Sequence, residues 1–172
     1  MIVVLLGYMG CGKSTVGQIL AEKLQFNFLD LDNYIEQKQQ ASISEIFNSK
    51  GELFFRIIES EAVKHLCDNS DSLVLALGGG TPCYSDTMQF LLNHPKVKTV
   101  YLNLSVKNLS ERLIHEKDKR PLIANLNEDD IAEFIAKHLF ERSFYYNQAE
   151  LTIRTDTLSV SEIVATLQTK LI

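Results

Sequence analysis

Two rhythms of apolar and polar positions alternate along this chain. Apolar-rich runs that read as strands occur at Ile2–Leu6, Asn27–Leu29, Ser72–Leu77, Lys98–Leu102 and Leu151–Arg154. Between them the spacing predicts helices over Lys13–Leu24, Asn33–Gln39, Ser42–Ser49, Glu52–Cys67, Asp86–Asn93, Val106–His115, Asp129–Asn147 and Val160–Leu171. In the first helix Val16, Ile19, Leu20 and Leu24 fall at helical spacing. Ser42 with Glu45, and Ser159 with Glu162, have the spacing of capping boxes, in which hydroxyl and carboxylate satisfy the exposed amides of a helix start. Strands alternating with helices indicate an α/β protein with a parallel sheet covered on both faces. The stretch from Glu116 to Asn127 follows neither rhythm, and a charged loop of that length in a compact domain is more often functional than idle.

At 172 residues the chain is expected to form one domain with a real core, and no linker, repeat or low-complexity tract divides it. A net charge of −5 argues against nonspecific nucleic-acid binding, because affinity for a phosphate backbone comes from basic surface. Cys11, Cys67 and Cys83 are an odd set without a CxxC pair, so neither a disulfide framework nor a zinc site is indicated, and a reducing cytosol fits. The N-terminal apolar run is too short to span a membrane and lacks a basic flank. A soluble, cytoplasmic protein is expected.

Specific chemistry enters between the first strand and the first helix, at Gly7-Tyr8-Met9-Gly10-Cys11-Gly12-Lys13-Ser14. This is the pattern of a phosphate-binding loop. Glycine at 7 and 12 lets the backbone turn sharply and bring its N–H groups against phosphate oxygens. Lys13 reaches the β- and γ-phosphates, Ser14 offers a hydroxyl to Mg²⁺, and the helix N-terminus favours the anion. Four fixed positions arise by accident in roughly one chain of this size in a hundred. The strand-loop-helix context lowers that further, so nucleoside triphosphate binding outweighs a plain glycine turn.

Ligands of an open α/β sheet collect at the carboxyl ends of its strands, which draws two further stretches to the same cleft. Strand two ends in Leu29-Asp30-Leu31-Asp32, where one carboxylate can face a metal and the other an acceptor; the plainer reading is a cap on the helix near Asn33. Strand three ends in Gly78-Gly79-Gly80, which serves either a tight bend or a backbone N–H approached closely by substrate. The chain has twelve lysines but only five arginines: Arg56, Arg112, Arg120, Arg142 and Arg154. The planar guanidinium fork suits carboxylates and phosphates, so each is a candidate ligand group. Arg56 has Glu59 one helical turn away, and Phe47 and Phe55 could wall a pocket around it. Arg120, beside Pro121 in the charged stretch, suits a lid. Arg142 precedes Phe144-Tyr145-Tyr146, read as packing residues, and Arg112 could simply pair with Glu116.

In order along the chain, the phosphate loop, Leu29-Asp30-Leu31-Asp32-Asn33-Tyr34-Ile35-Glu36, Ser42-Ile43-Ser44-Glu45-Ile46-Phe47, Gly51-Glu52, Phe55-Arg56-Ile57-Ile58-Glu59, Leu77-Gly78-Gly79-Gly80 and Arg120-Pro121-Leu122 resemble the shikimate kinases. The resemblance covers essentially the whole chain. It implies a P-loop NTPase fold of the nucleoside-monophosphate-kinase type, a three-layer α/β/α sandwich with a five-stranded parallel sheet, carrying substrate-binding helices over about 33–61 and a lid over about 114–127. It implies transfer of the ATP γ-phosphoryl group to the 3-hydroxyl of shikimate, with Mg²⁺, in aromatic amino acid biosynthesis, by a monomer acting on small molecules. By position, Gly10, Cys11, Gly12, Lys13, Ser14 and Thr15 would hold the ATP phosphates, and Ser14 and Asp30 the metal. Asp32 would bind the acceptor hydroxyl and serve as base, with Lys13 and Arg120 assisting transfer. Arg56, oriented by Glu59, and Arg142 would bind the shikimate carboxylate, Gly79 and Gly80 would line the acceptor, and Arg112 would stack on adenine. Under this reading the glycines are functional.

Two positions depart from the family pattern. The adenine loop, Thr155-Asp156-Thr157-Leu158-Ser159, lacks the proline often found opposite the stacking arginine. Cys11 stands where alanine or serine is usual, and at a helix N-terminus its thiol is expected to be reactive. Rival readings are a gluconate or nucleoside monophosphate kinase and a nucleotide-dependent switch. Five arginines with an Asp-x-Asp suit a polyhydroxylated carboxylate better than a second nucleotide.

Overall fold

Five parallel strands, β1 (Ile2–Leu6), β2 (Asn27–Asp30), β3 (Leu73–Ala76), β4 (Val97–Asn103) and β5 (Leu151–Arg154), pair in the order β2-β3-β1-β4-β5 in the computed structural model. The structure describes residues 1–117 and 122–172. In the central strand, Val4 lies beside Leu75 of β3 and Thr99 of β4, and all five residues of β1 are fully buried. A strand covered on both faces has no polar side, which is why Ile2–Leu6 shows no alternation.

The covering helices are α1 (Lys13–Leu24), α2 (Leu31–Gln39), α3 (Ile43–Asp68), α4 (Thr87–Asn93), α5 (Val106–His115), α6 (Glu128–Tyr146) and α7 (Val160–Leu171), with a short 3₁₀ turn at Thr81–Cys83. Helix α1 packs on β1, β2 and β3 with α7 alongside; α4 packs on β4, α3 on α2 and α4, and α5 on α6. The fold is the expected three-layer sandwich of the nucleoside-monophosphate-kinase type. Among the described residues no helix is long and apolar enough to cross a membrane.

Both predicted capping boxes form, with the Ser42 amide donating to Glu45 at 2.7 Å and the Ser159 amide to Glu162 at 2.7 Å. Helix α2 begins two residues before the spacing predicts, because Asp30 both ends β2 and caps the helix. Its Oδ1 accepts from the amides of Asp32 and Asn33 at 3.1 and 3.4 Å. The two helices predicted at 42–49 and 52–67 both form and run end to end as α3, broken by a kink at Gly51 where the backbone is not helical. Gly51 sits at φ 82°, ψ 171°, a conformation essentially restricted to glycine. The kink shifts the phase of the helix so that Ile46 before it, and Phe55, Glu59 and Val63 after it, all turn inward. Of the lid read at 114–127, residues 118–121, including Arg120, lie outside the described residues. After them Leu122 is exposed and Ile123 buried.

Beyond its chain neighbours and its own helix backbone, no atom of the described residues lies within 4 Å of the place a Cβ would take on Gly51, so the cost of adding one is conformational. Gly51→Ala is expected to lower the unfolding free energy by about 1–3 kcal/mol, measured by urea denaturation.

Candidate active site

The phosphate loop owes its path to backbone conformations that side chains resist. Gly12, which starts α1, has φ 97°, and Gly7 has φ 145°. A Cβ on Gly7 would lie 2.8 Å from the Leu102 carbonyl oxygen and 2.7 Å from Cys11 Sγ. No side chain caps α1 and no acidic residue occupies its first turn, so its amides and dipole face a ligand directly. The Lys13 ammonium, buried, donates to the carbonyls of Gly7 at 2.8 Å and Tyr8 at 3.0 Å, which fixes it beneath the loop. Cys11 departs from expectation. The residue is 3% exposed, with its Sγ packed under Gly7, so the thiol is shielded from reagents.

A cavity of about 320 Å³ runs from this loop to the ends of β2 and β3, taking in Gly10, Ser14, Thr15, Asp30, Asp32 and Gly79. The Ser14 hydroxyl donates to Asp30 Oδ2 at 2.7 Å while the other carboxylate oxygen caps α2, so capping and ligand roles are not alternatives at this residue. Asp32, one helical step deeper, is pushed up to about 6 by burial and by the neighbouring Asp30 and Glu59 carboxylates, against the pull of Lys13. Arg112 closes the outer end, its Nη1 donating to the Gly10 carbonyl at 3.3 Å. The 155–159 loop is pinned without a proline: Asp156 accepts from the Ser105 amide at 3.0 Å and the Asn108 amide group at 2.7 Å, at the start of α5.

The three glycines after β3 have none of the left-handed φ values that would explain them as a bend. They provide room instead. A Cβ on Gly78 would stand 3.1 Å from Asp32 Oδ1 and 3.2 Å from Glu59 Oε1; on Gly79, 3.0 Å from Arg142 Nη1; on Gly80, 2.9 Å from both terminal nitrogens of Arg56. Arg56 Nη1 donates to Glu59 Oε2 at 2.9 Å, and Glu59 is itself buried and held through Oε1 by the Thr81 hydroxyl at 2.6 Å. Arg56 Nε is buried without a hydrogen bond, the Glu52 carboxylate at 3.5 Å making only an ion contact. Phe47 and Phe55 pack at 4.7 Å between ring centres beside it.

Helix α6 brings Arg142 to the same turn. Its guanidinium lies 5.6 Å from the centre of the Tyr8 ring, and the Tyr8 hydroxyl pairs with His138 Nδ1 at 3.0 Å, one turn back on α6. Tyr146, one turn on, is fully buried and donates its hydroxyl to the Gly79 carbonyl. Tyr146 was legible as packing but not as a support of the site. Tyr8 and Thr81 carry no sequence signal of their roles, since an aromatic and a hydroxyl of this kind are ordinary core residues. Arg56, Arg142, Asp32 and Lys13 therefore converge on one corner, while Arg120 lies outside the described residues.

A family model described as shikimate kinase matches residues 9–172. The chain belongs to the shikimate kinase family. The shikimate kinase of Flavobacterium johnsoniae is 49% identical over 162 residues, 94% of each chain. Among solved structures, shikimate kinase from Bacteroides thetaiotaomicron superposes with a TM-score of 0.91 at 34% identity, over 99% of this chain and 98% of that one. Shikimate kinase from Acinetobacter baumannii in complex with shikimate gives 0.86 at 33% identity, over 99% and 92%. The protein is an ATP-dependent kinase that phosphorylates shikimate.

The Asp32 carboxyl holds its proton more tightly in the folded than in the unfolded chain. The resulting penalty on stability is full above about pH 6 and is relieved as pH falls towards 4. Asp32→Asn is therefore expected to fold about 2 kcal/mol more stably than the parent near neutral pH, the gap closing towards pH 4 in parallel urea titrations.

Proposed function

We propose that this corner carries out the transfer with Asp32 as base and Arg56 and Arg142 as the grip on the acid. The observation supporting it is the glycine turn, where three successive residues give way to Asp32, Arg142 and Arg56 in that order. An acceptor seated on Gly79 and Gly80 would meet both guanidinium groups at its carboxylate and Asp32 at a ring hydroxyl. Arg56 enters with its Nη1 already committed to Glu59, leaving donors on Nη2 for the carboxylate.

The loop amides from Gly10 to Thr15 and the Lys13 ammonium hold the triphosphate with its γ-phosphorus towards Asp32. Asp32 takes the proton of the 3-hydroxyl as that oxygen forms its bond to phosphorus, and the bond to the β-phosphate oxygen breaks to release ADP. Lys13 balances the charge of the phosphates. Ser14 and Asp30 offer hard oxygen donors side by side, the kind Mg²⁺ prefers, and would hold it. Held by these two residues, the ion would supply charge neutralisation to the phosphates during transfer. Arg112, at the outer edge of the loop, is assigned to adenine, and Arg120 to the phosphates by its place in the sequence. The reading extends to a cytoplasmic monomer acting on two small molecules, ATP and shikimate.

Asp32→Asn is expected to lower kcat by about 10²–10⁴-fold while leaving ATP affinity by calorimetry within about twofold, since only the acceptor end changes; an equal loss of ATP affinity would contradict the assignment. In the parent enzyme, kcat/KM for shikimate should fall about tenfold per pH unit below about pH 6, where Asp32 gains its proton. Arg56→Ala should raise KM for shikimate by about 10- to 100-fold, the loss of a charge-assisted pair worth about 1.5–3 kcal/mol, with KM for ATP unchanged.

A further inference from the structure

We propose that Tyr84 is a positioning residue for shikimate, its ring acting as a roof over the Arg56 guanidinium that fixes the plane in which the fork meets the carboxylate. This rests on the assignment of Arg56 to that carboxylate.

The chain leaves the glycine turn through the 3₁₀ turn at Thr81–Cys83 and reaches Tyr84 in an extended conformation, φ −120° and ψ 151°. Ser85 then takes φ 57°, turning the backbone away immediately after Tyr84. The Tyr84 ring centre lies 4.0 Å from Arg56 Cζ, stacking distance, closer than the Phe55 ring at 5.3 Å. Tyr84 is 39% exposed whereas the Arg56 side chain is 16% exposed, so the ring stands between guanidinium and solvent.

A guanidinium that must greet a carboxylate needs to be held without using the N–H groups that will greet it. Glu59 consumes one, on Nη1. A further carboxylate in the place of Tyr84 would consume more and would cancel the charge the substrate needs. An aromatic face attracts the cation through its quadrupole and leaves every N–H free. It also keeps water off one side of the guanidinium, which strengthens the pair formed when substrate binds. The backbone at Gly80, too close for a Cβ, limits the terminal nitrogens from another direction. Tyr84 thus completes a setting in which Arg56 has few alternative orientations.

Steady-state kinetics on Tyr84→Leu and Tyr84→Phe, alone and combined with Arg56→Ala, test this. Tyr84→Leu should raise KM for shikimate about fivefold, and Tyr84→Phe should stay within about twofold of the parent. Neither should alter kcat or KM for ATP. In the Arg56→Ala background, Tyr84→Leu should add nothing, because the ring acts only through the guanidinium. Tyr84 lies at the surface; Tyr84→Gln supplies a second ring deletion should the leucine variant prove insoluble, and melting curves check folding. An unchanged KM in Tyr84→Leu, an equal rise in Tyr84→Phe, or a rise that persists in the Arg56→Ala background overturns the roof. Arg56→Ala with an unchanged KM for shikimate instead overturns the carboxylate assignment beneath it.

Discussion

Buried charge at the carboxyl ends of β2 and β3 sets the terms for the rest of the molecule. Asp32 and Glu59 face the same confined space, and each ionised carboxylate there loses hydration and repels the other. Compensation is divided unevenly. Glu59 receives an N–H of Arg56 and the Thr81 hydroxyl, whereas Asp32, among the described residues, has only the field of Lys13. One carboxylate is thereby locked into a structural ion pair and the other left basic enough to accept a proton near neutrality. The same environment produces both, and the number of partners decides which is which.

The scaffold exists to hold that imbalance in place. β1 is buried from end to end, so the loop that follows it starts from a fixed point, and Lys13 is tied to the loop it emerges from. Asp30 shows how little of the chain is spare: one oxygen starts α2 and the other faces the phosphate loop. Along α6, His138, Arg142 and Tyr146 recur one turn apart and meet Tyr8, Gly79 and their neighbours. A single helical stripe therefore ties the donor half of the cavity to the acceptor half.

Much of this was legible in the sequence, for reasons that also explain what was not. Strand and helix periods located every strand and α-helix among the described residues, though not the 3₁₀ turn at Thr81–Cys83, because buried strands and amphipathic helices are local patterns; the bounds of β1, α1, α5, β5 and α7 are those the spacing predicts. The break at Gly51 was legible too, since a glycine between two helical patterns marks an interruption, and the backbone there is not helical. The phosphate loop, Asp30, Asp32 and the scarce arginines stood out because their residue types are costly elsewhere. Cys11 was expected to be reactive on grounds of local position, but its burial depends on contact with Gly7, a tertiary fact. Tyr8, Thr81 and Tyr84 gave no signal at all, because what they do depends on residues up to 130 positions away.

The turn at Gly78-Gly79-Gly80 contributes to the site by what it lacks. It has no proton to titrate, no nucleophile to label and no charge to screen, so neither a pH profile nor a modifying reagent would ever point to it. Its part in the chemistry becomes visible only when atoms are added, one methyl group at a time.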